Sequence, residues 1–342
     1  MTALRIPPGG LLYRAMIGVG GIGSGRFFAL DGNETLGREE SRGGRFLNQR
    51  DYCKLHIISH YVSRLLGRDF ATIPVGKIGN DDVGERLLVE MAEAGLDLRH
   101  VIREPDAPTL FSFCFVYPDG SGGNMTTNDS ACSRVDAAYV LRVEPEFQRY
   151  EGCGVALAAP EVPIEARTTL LRLGTAHGFF RVASFTSVEL PGAIDSGLIS
   201  RIDLLALNRD EAVVAAGLAS AGRQPEEIAA AAVERLRALN PQIALLVTAG
   251  RDGSWTWDGE RLRHVGVPAV PVKGTAGAGD AHLAGVIAGL AAGLPLVEAH
   301  HLGALVAAAS VTSPHTIHPD LDADLLRTLP TPLRESVARL LR

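Results

Sequence analysis

Short apolar runs alternate with helical patterns along most of the chain, and this alternation constrains the fold more than any other feature. The helical stretches include one from Val83 to Met91, which Gly95 ends, and another from Ile228 to Leu239. Alternating strands and helices favour an α/β fold with a mostly parallel central sheet flanked by helices. The strand candidates are Ala15–Val19, Thr72–Gly76, Val155–Ala159, Arg181–Phe185, Leu204–Leu207 and Ile243–Val247.

A glycine-rich loop, Gly277–Asp280, is the strongest candidate for a functional site. It leads into a run of small apolar residues, Leu283–Leu294, that is typical of a buried helix. Helix N-termini present unpaired N–H groups and the positive end of the helix dipole, so this loop suits an anion such as a phosphate. A carboxylate there would repel a phosphate ligand, but it suits a general base that takes a proton from a hydroxyl attacking phosphorus. The alternative is an ordinary glycine-rich turn capped by Asp280.

The composition is that of a globular protein, with 46% hydrophobic and 21% charged residues in a chain of 342. The formal net charge is −6 and no basic block stands out, so we expect neither a nucleic-acid nor a membrane partner. No segment reaches the roughly 18 apolar residues of a membrane span, and we see no export signal, so we expect a cytoplasmic protein. The four cysteines form no C-x-x-C pair, which argues against a zinc site or a redox motif.

Two segments interrupt the alternation of strands and helices. Residues 27–44 are polar and glycine-rich, whereas residues 110–128 contain a strand with alternating aromatic side chains and then the turn signal Pro118-Asp119-Gly120. Together they predict a small β structure that projects from the main sheet as a lid over a site or as a dimer contact. Its aromatic face is more apolar than an exposed layer tolerates, so we expect a homodimer through the lid. The aromatic residues are Phe111, Phe113, Phe115 and Tyr117.

The segment Gly18–Gly23 matches the pattern G-x-G-x-x-G, with Glu39 and Glu40 about twenty residues further on. That fingerprint of a dinucleotide site requires a helix to open at its third glycine. Here the chain continues through Ser24-Gly25-Arg26 without an amphipathic pattern. We therefore favour a first strand that ends in a ligand-facing loop.

Five segments follow one another along the chain with spacing typical of one family. They are Gly43-Gly44-Arg45-Phe46-Leu47-Asn48-Gln49, then Gly76–Gly84, Asn208-Arg209-Asp210-Glu211, Thr248-Ala249-Gly250 and Gly277-Ala278-Gly279-Asp280. In this order they resemble the motifs of the ribokinase-like (PfkB) family of carbohydrate and nucleoside kinases, over roughly residues 16–326. The resemblance implies one ribokinase-like α/β kinase domain over residues 14–330, with lid segments 27–44 and 110–128 inserted and a helical tail over 331–342.

The resemblance also implies an ATP-dependent transfer of the γ-phosphoryl group to a hydroxymethyl group of a sugar or sugar-like substrate. Asp280 would be the base, and the N–H groups of the loop would stabilise the transferred group. Asn208 and Glu211 would hold Mg²⁺ through water, because a carboxylate close to phosphates needs a cation between them. The alternative for this pair is a helix cap with a first-turn glutamate. The implied site residues are Gly277, Ala278, Gly279 and Asp280 for catalysis, Gly43, Gly44 and Asn48 for the acceptor, and Asn208, Thr248, Gly250, Thr275, Gly277 and Gly279 for the nucleotide.

Two positions depart from the family pattern. The final motif usually has an aspartate before its threonine, and here that position is Gly274, which puts a monovalent-cation site in doubt. Family members also commonly carry a substrate-binding aspartate just after the first strand. The stretch Ile22–Gly25 has none, so Asp31 is the nearest candidate.

Two other functions remain open at this point. One is a nucleoside kinase of the same fold, with a lid aromatic such as Phe113 or Phe115 stacking on the base. The other is a non-catalytic, ligand-binding relative, which Gly274 and the missing aspartate favour and which the intact Asp280 and Glu211 disfavour.

Overall fold

The computed structural model describes residues 2–6, 8–35, 37–119, 121–219, 223–329 and 332–341. Its strands are β1 Ala15–Val19, β2 Gly23–Leu30, β3 Gly44–Tyr52, β4 Ala71–Gly79, β5 Val101–Glu104, β6 Leu110–Val116, β7 Gly122–Thr126, β8 Gly154–Ala158, β9 Phe180–Ser184, β10 Leu204–Asn208, β11 Ala244–Thr248, β12 Ser254–Trp257 and β13 Leu262–Val265. Its helices are α1 Lys54–Leu66, α2 Asp82–Glu93, α3 Ala137–Leu141, α4 Glu144–Arg149, α5 Ile164–Ala176, α6 Leu190–Asp195, α7 Arg209–Ala216, α8 Pro225–Leu239, α9 Ala278–Ala291, α10 Leu296–Ser310, α11 Ala323–Thr328, α12 Leu333–Ser336 and α13 Ala338–Leu341.

A nine-stranded sheet forms the centre of the molecule, in the order β13-β12-β11-β10-β9-β8-β1-β4-β5. The pairs from β11 to β5 are all parallel, and β12 and β13 add an antiparallel edge. All six strands predicted from the sequence are present in it, with ends that differ by one residue in most cases. The predicted α/β class with a mostly parallel sheet is confirmed.

Helices cover both faces of this sheet because its strands are apolar on both sides. Strand β1 is buried throughout: Met16 packs into the cluster that includes α1, α9 and α10, while Ile17 and Val19 pack into the cluster that includes α5 and α8. Within the described part of the chain, none of the helices is both long and apolar enough to cross a membrane.

Helices α9 and α10 pack closely and fix the position of the glycine-rich loop. A side chain at Gly285 would place its Cβ 2.7 Å from the Cα of Gly303, so only glycine permits this approach. Because α9 is anchored in this way, the loop at its N-terminus has a defined position beside the sheet.

A second sheet, in the order β3-β2-β6-β7, forms the predicted lid. It is larger than residues 27–44 and 110–128, because β2 starts at Gly23 and β3 continues to Tyr52. Gly23-Ser24-Gly25 lacks the apolar alternation that marks a strand, yet it pairs with β3 on one side and β6 on the other. Since Gly23 opens a strand and not a helix, the G-x-G-x-x-G segment has no dinucleotide geometry. Leu36 and Gly120, within the two predicted segments, lie outside the described residues.

The predicted boundary between Pro330 and Thr331 also lies outside the described residues, as does Arg342. The rest of the predicted tail contains the short helices α12 and α13. Leu340 and Leu341 are buried in the same apolar cluster as Met16 and α9, so this segment is part of the domain's core.

Candidate active site

The loop before α9 places Asp280 in the first turn of a helix whose N-cap is Gly277. Gly277 has φ = +78°, a left-handed conformation, and a Cβ at this position would lie 2.8 Å from the carbonyl oxygen of Thr316. Glycine is therefore required by both conformation and space. The arrangement aims the positive end of the α9 dipole at the space in front of the loop.

Two cavities meet at this loop. The smaller has a volume of about 140 Å³ and lies beneath the lid, and the larger has a volume of about 620 Å³ and lies along the sheet edge. Lys54, Gly277 and Asp280 line both of them. Asp280 therefore lies at the junction of the two cavities, as a base must when it takes a proton from a hydroxyl in one cavity that attacks a group in the other.

The larger cavity brings together the residues that the sequence assigns to the nucleotide. Asn208 and Thr248 are neighbours at the carboxyl ends of β10 and β11, and Gly250 and Thr275 line the same space. A Cβ on Gly279 would lie 3.6 Å from the Oγ1 of Thr248, so the strand end and the loop are adjacent.

The remaining walls of the larger cavity suit a nucleotide. Arg209 and Arg251 line its polar part, where guanidinium groups can pair with phosphates. The rest forms an apolar slot, as a planar base requires. The slot is lined by Val265, Val267, Val272, Leu283, Ala304, Ala307, Ala308 and Val311.

Asn208 and Glu211 form a capping box at the start of α7. The Asn208 Oδ1 accepts a hydrogen bond from the Glu211 N–H at 2.9 Å, and the Glu211 Oε2 accepts one from the Asn208 N–H at 2.8 Å. The pair therefore does cap the helix, and this does not exclude a role toward Mg²⁺. Glu211 is buried at the wall of the larger cavity, where its charge can still attract Mg²⁺. Since both of its oxygens already accept protein hydrogen bonds, the geometry fits contact with the ion through its water shell.

Lys54, the first residue of α1, supplies positive charge between the two cavities. Its Nζ lies 3.4 Å from the Oε1 of Glu211. Burial lowers the pKa of the Lys54 ammonium, but the carboxylates of Asp280, Glu211 and Glu161 raise it by more. Lys54 is therefore protonated at neutral pH and available to an anion bound in front of the loop.

The pKa of Asp280 suits a general base. Burial raises its pKa to about 6, the Lys54 ammonium opposes this rise, and the carboxylates of Glu211 and Asp51 add to it. A carboxyl group with a pKa near 6 is ionised at pH 7 and accepts a proton more readily than an ordinary aspartate.

Glu161 follows β8 and lines the smaller cavity. It has φ = +75°, which is rare for a residue other than glycine and often marks a functional site. A Cβ on Gly21 would lie 2.6 Å from the Glu161 Cβ, so the glycine leaves room for this side chain. Burial raises the pKa of Glu161 to about 7, and its Oε2 has no hydrogen-bond partner among the described residues.

Comparison with known proteins shows the family to which the chain belongs. Residues 58–323 match the family described as pfkB family carbohydrate kinase. The chain belongs to the pfkB family. The matched region contains the Asn208–Glu211 box and the whole loop before α9, whereas β1, β2, β3 and Lys54 lie before it.

Individual known proteins resemble parts or all of the chain. An uncharacterized sugar kinase, YegV, of Escherichia coli K12 is 34% identical over 128 residues, 35% of this chain and 36% of that protein. The chain thus spans about a third of this relative. Ribokinase from Giardia lamblia superimposes with a TM-score of 0.74 at 18% identity, covering 95% of this chain and 98% of that one. Arabidopsis thaliana ribokinase, solved with ribose and ATP, superimposes with a TM-score of 0.69 at 19% identity, covering 96% of this chain and 99% of that one.

Four residues that the pfkB resemblance assigns to the acceptor lie away from both cavities. Gly43 precedes β3, Gly44 and Asn48 lie on it, and Asp31 follows β2, with Asn48 and Asp31 exposed. None of them is among the described residues that line either cavity. Because β3 is nine residues long, the chain reaches the smaller cavity only at Asp51.

Sequence reasoning missed Asp51, Lys54 and Glu161. Glu161 could have been found from the sequence, since a charged residue a few positions after a buried parallel strand lies at the edge of the sheet where ligands bind. Asp51 and Lys54 carried none, because both lie where a lid strand passes into α1, and that contact is set by tertiary structure.

Proposed function

We propose that the chain is an ATP-dependent carbohydrate kinase that transfers the γ-phosphoryl group to a hydroxymethyl group of a sugar or sugar-like polyol. The observation that carries this proposal is the position of Asp280, which lines both a small polar cavity and a larger one with an apolar slot. The pfkB family membership supports it, and so does the structural likeness to a ribokinase solved with ribose and ATP.

In this proposal each described group has a distinct task. Mg·ATP, when bound, supplies the phosphoryl group and a divalent charge that offsets the phosphates. Asp280 accepts the proton of the acceptor hydroxyl, while Lys54 and the N–H groups of Gly277 and Gly279 stabilise negative charge in front of α9. The N–H of Ala278, between them, donates to the carbonyl oxygen of Thr275. Glu211 and Asn208 would hold the hydrated Mg²⁺ beside the phosphates of ATP. The lid excludes water that would otherwise compete for the phosphoryl group.

The size of the acceptor cavity favours a compact sugar over a nucleoside. Its volume of about 140 Å³ is well below the roughly 300–1,000 Å³ of pockets that hold drug-sized ligands. Its lining also offers Ser24, Ser112 and Asn124, which hydrogen-bond hydroxyls. A non-catalytic binder would need neither Asp280 at the junction of two cavities nor Lys54 beside it.

We further propose that the lid joins two copies of the chain. Phe28, Phe46 and Phe113 form an aromatic cluster on its outer face, with ring centroids 5.2–6.2 Å apart. Phe46 and Met125 are 50% and 59% exposed. An apolar patch of this kind on a sheet is typical of an interface between identical subunits.

A direct test combines binding and turnover. Thermal shift with Mg·ATP should show nucleotide binding, and ADP release should then depend on a neutral monosaccharide or polyol from a panel that also contains nucleosides. Nucleotide binding without acceptor-dependent ADP release from any member would contradict the kinase proposal and favour the non-catalytic relative. Release that depends only on nucleosides would favour the nucleoside kinase.

A further inference from the structure

The smaller cavity, the proposed acceptor site, is lined by a carboxylate that has no role so far. This is Asp51, the second-to-last residue of β3. Strands β2 and β3 pair antiparallel with Gly25 directly opposite Asp51. A Cβ on Gly25 would lie 3.0 Å from the Cβ of Asp51 and 2.8 Å from the carbonyl oxygen of Ser112. Strands β3 and β6 therefore leave no room for a side chain at Gly25. At this pair of the lid sheet, Asp51 is the residue that carries one.

Gly25 belongs to the stretch after β1 in which the family resemblance leads one to expect a substrate-binding aspartate. The alternative candidate, Asp31, is exposed beyond the end of β2 and lines neither cavity. Asp51, in contrast, lines the same small cavity as Asp280. It also precedes residue 58, where the match to the pfkB family starts, so the family pattern does not identify it.

The surroundings of Asp51 leave its carboxylate with unused hydrogen-bonding capacity. The Cys114 thiol donates to the Asp51 Oδ2 at 3.2 Å, and a thiol is a weak donor. Burial raises the pKa of Asp51, and hydrogen bonds from Cys114 and the Tyr52 N–H oppose that rise only in part. The adjacent Arg50 guanidinium pairs with Glu90. A partly buried carboxylate to which the described residues bring so few donors is stabilised when a ligand brings two hydroxyl groups to it.

The charges around the cavity restrict the ligand further. Its lining contains the carboxyl groups of Asp51, Glu161 and Asp280 and the ammonium of Lys54, and the set stays net negative when Glu161, whose pKa is about 7, is half protonated. An acceptor that already carries a phosphate would be repelled by this set, whereas a neutral polyol would not.

We propose that Asp51 binds two adjacent hydroxyl groups of a neutral, unphosphorylated polyol and thereby fixes the acceptor hydroxyl at Asp280. In this role Asp51, on β3, would take the place of the substrate-binding aspartate that the family resemblance leads one to expect after the first strand, on β2. This inference rests on the proposed kinase function and names the residue and the substrate class that set its specificity.

The test compares four proteins on one panel: wild type, Asp51→Asn, Asp31→Asn and Glu34→Gln. The last removes an exposed carboxylate from the same lid and serves as the control. The panel contains ribose, myo-inositol, fructose and fructose 6-phosphate, together with monodeoxy analogues of each neutral sugar that wild type phosphorylates. Calorimetry measures the binding of Mg·ATP to each variant and so reports whether that variant is folded.

We expect Asp51→Asn to raise the acceptor KM at least about tenfold, as the loss of hydrogen bonds to a charged group predicts, with nucleotide affinity within about twofold of wild type. Wild type should prefer the parent sugar over the analogue that lacks one contacted hydroxyl, and Asp51→Asn should lose that preference. If Asp51 had only a structural role, Asp51→Asn would weaken the binding of the parent sugar and of its deoxy analogue equally.

Different failures have different meanings. Normal acceptor KM values in Asp51→Asn, or a rise in Asp31→Asn alone, would overturn the inference while the kinase function stands. A preference for fructose 6-phosphate over the neutral sugars would overturn the substrate class. Sugar binding without phosphorylation by wild type would contradict the kinase function, and in that case lost binding in Asp51→Asn would still support its role as a ligand.

Discussion

At the scale of single residues, Asp280 carries the greatest part of the proposed chemistry. Replacing it with asparagine removes the proton acceptor and keeps the shape of the side chain. We expect kcat to fall by about 10²–10⁴-fold, the usual cost of losing a general base, while Mg·ATP affinity stays within about twofold. Steady-state kinetics and calorimetry measure the two quantities. Wild-type turnover in Asp280→Asn would remove this residue from the mechanism.

The pH dependence of kcat/KM follows from the raised pKa of Asp280 in the protein without substrates. The base form of Asp280 is lost as the pH falls through a pKa of about 6, so kcat/KM should drop about tenfold per pH unit below that value and level off above it. The Lys54 ammonium lowers the pKa of Asp280, so Lys54→Met should move the fall in kcat/KM to higher pH, whatever its effect on the plateau. A profile whose midpoint is the same in both proteins would contradict the assigned base.

How well the sequence predicts a residue depends on how local its environment is. Asp280 and Glu211 could be found because their neighbours in the chain, a glycine loop and a helix start, create their surroundings. Asp51 could not, because its environment is made by β2, by Cys114 on β6 and by α9, which are distant in the chain.

At the scale of elements, the same contrast separates the central sheet from the lid. The parallel strands are buried on both faces, so each is a continuous apolar run that the sequence shows directly. Strand β2 begins with Gly23-Ser24-Gly25, where close approach to β6 requires small residues, and no periodicity marks it. The start of the lid was therefore predicted four residues too late.

The loop before α9 also determines how the enzyme should respond to monovalent cations. Gly274 lies near the backbone carbonyls of Ser313 and Pro314, each 3.2 Å from where its Cβ would be, and offers no carboxylate. A cation loop without its carboxylate loses the main electrostatic reason to hold potassium. Rates in potassium, sodium and a bulky organic cation, at fixed ionic strength, should agree within about threefold, which is about 0.65 kcal/mol of barrier. A tenfold preference for potassium would mean that carbonyl groups alone form the site.

At the scale of the whole molecule, the lid has one face toward the smaller cavity and one toward solvent. Ser112, Cys114 and Asn124 lie on the inner side, and Phe46 and Met125 lie on the outer side. The polar inner face and the apolar outer face both have a role if each lid closes its own cavity and also contacts the lid of a second copy.

The dimer can be tested without disturbing the cavity. Phe46→Glu puts a charge at the centre of the outer aromatic cluster and should give a monomer by light scattering. Val188→Glu is the matched control, because Val188 is 90% exposed and far from the lid in sequence, and it should remain dimeric. A wild-type protein that is a monodisperse monomer at micromolar concentration would contradict the dimer, while the role of the lid over the acceptor would stand.

The most direct test of the proposed kinase activity follows the phosphoryl group itself. Wild-type protein is incubated with Mg²⁺, ATP labelled in its γ-phosphoryl group and the neutral polyols, and the products are separated. We expect labelled phosphate ester on one polyol, formed in equal amount to ADP, and almost none with Asp280→Asn. Label found only as free phosphate, with every polyol unmodified, would contradict the proposal that this chain is a carbohydrate kinase.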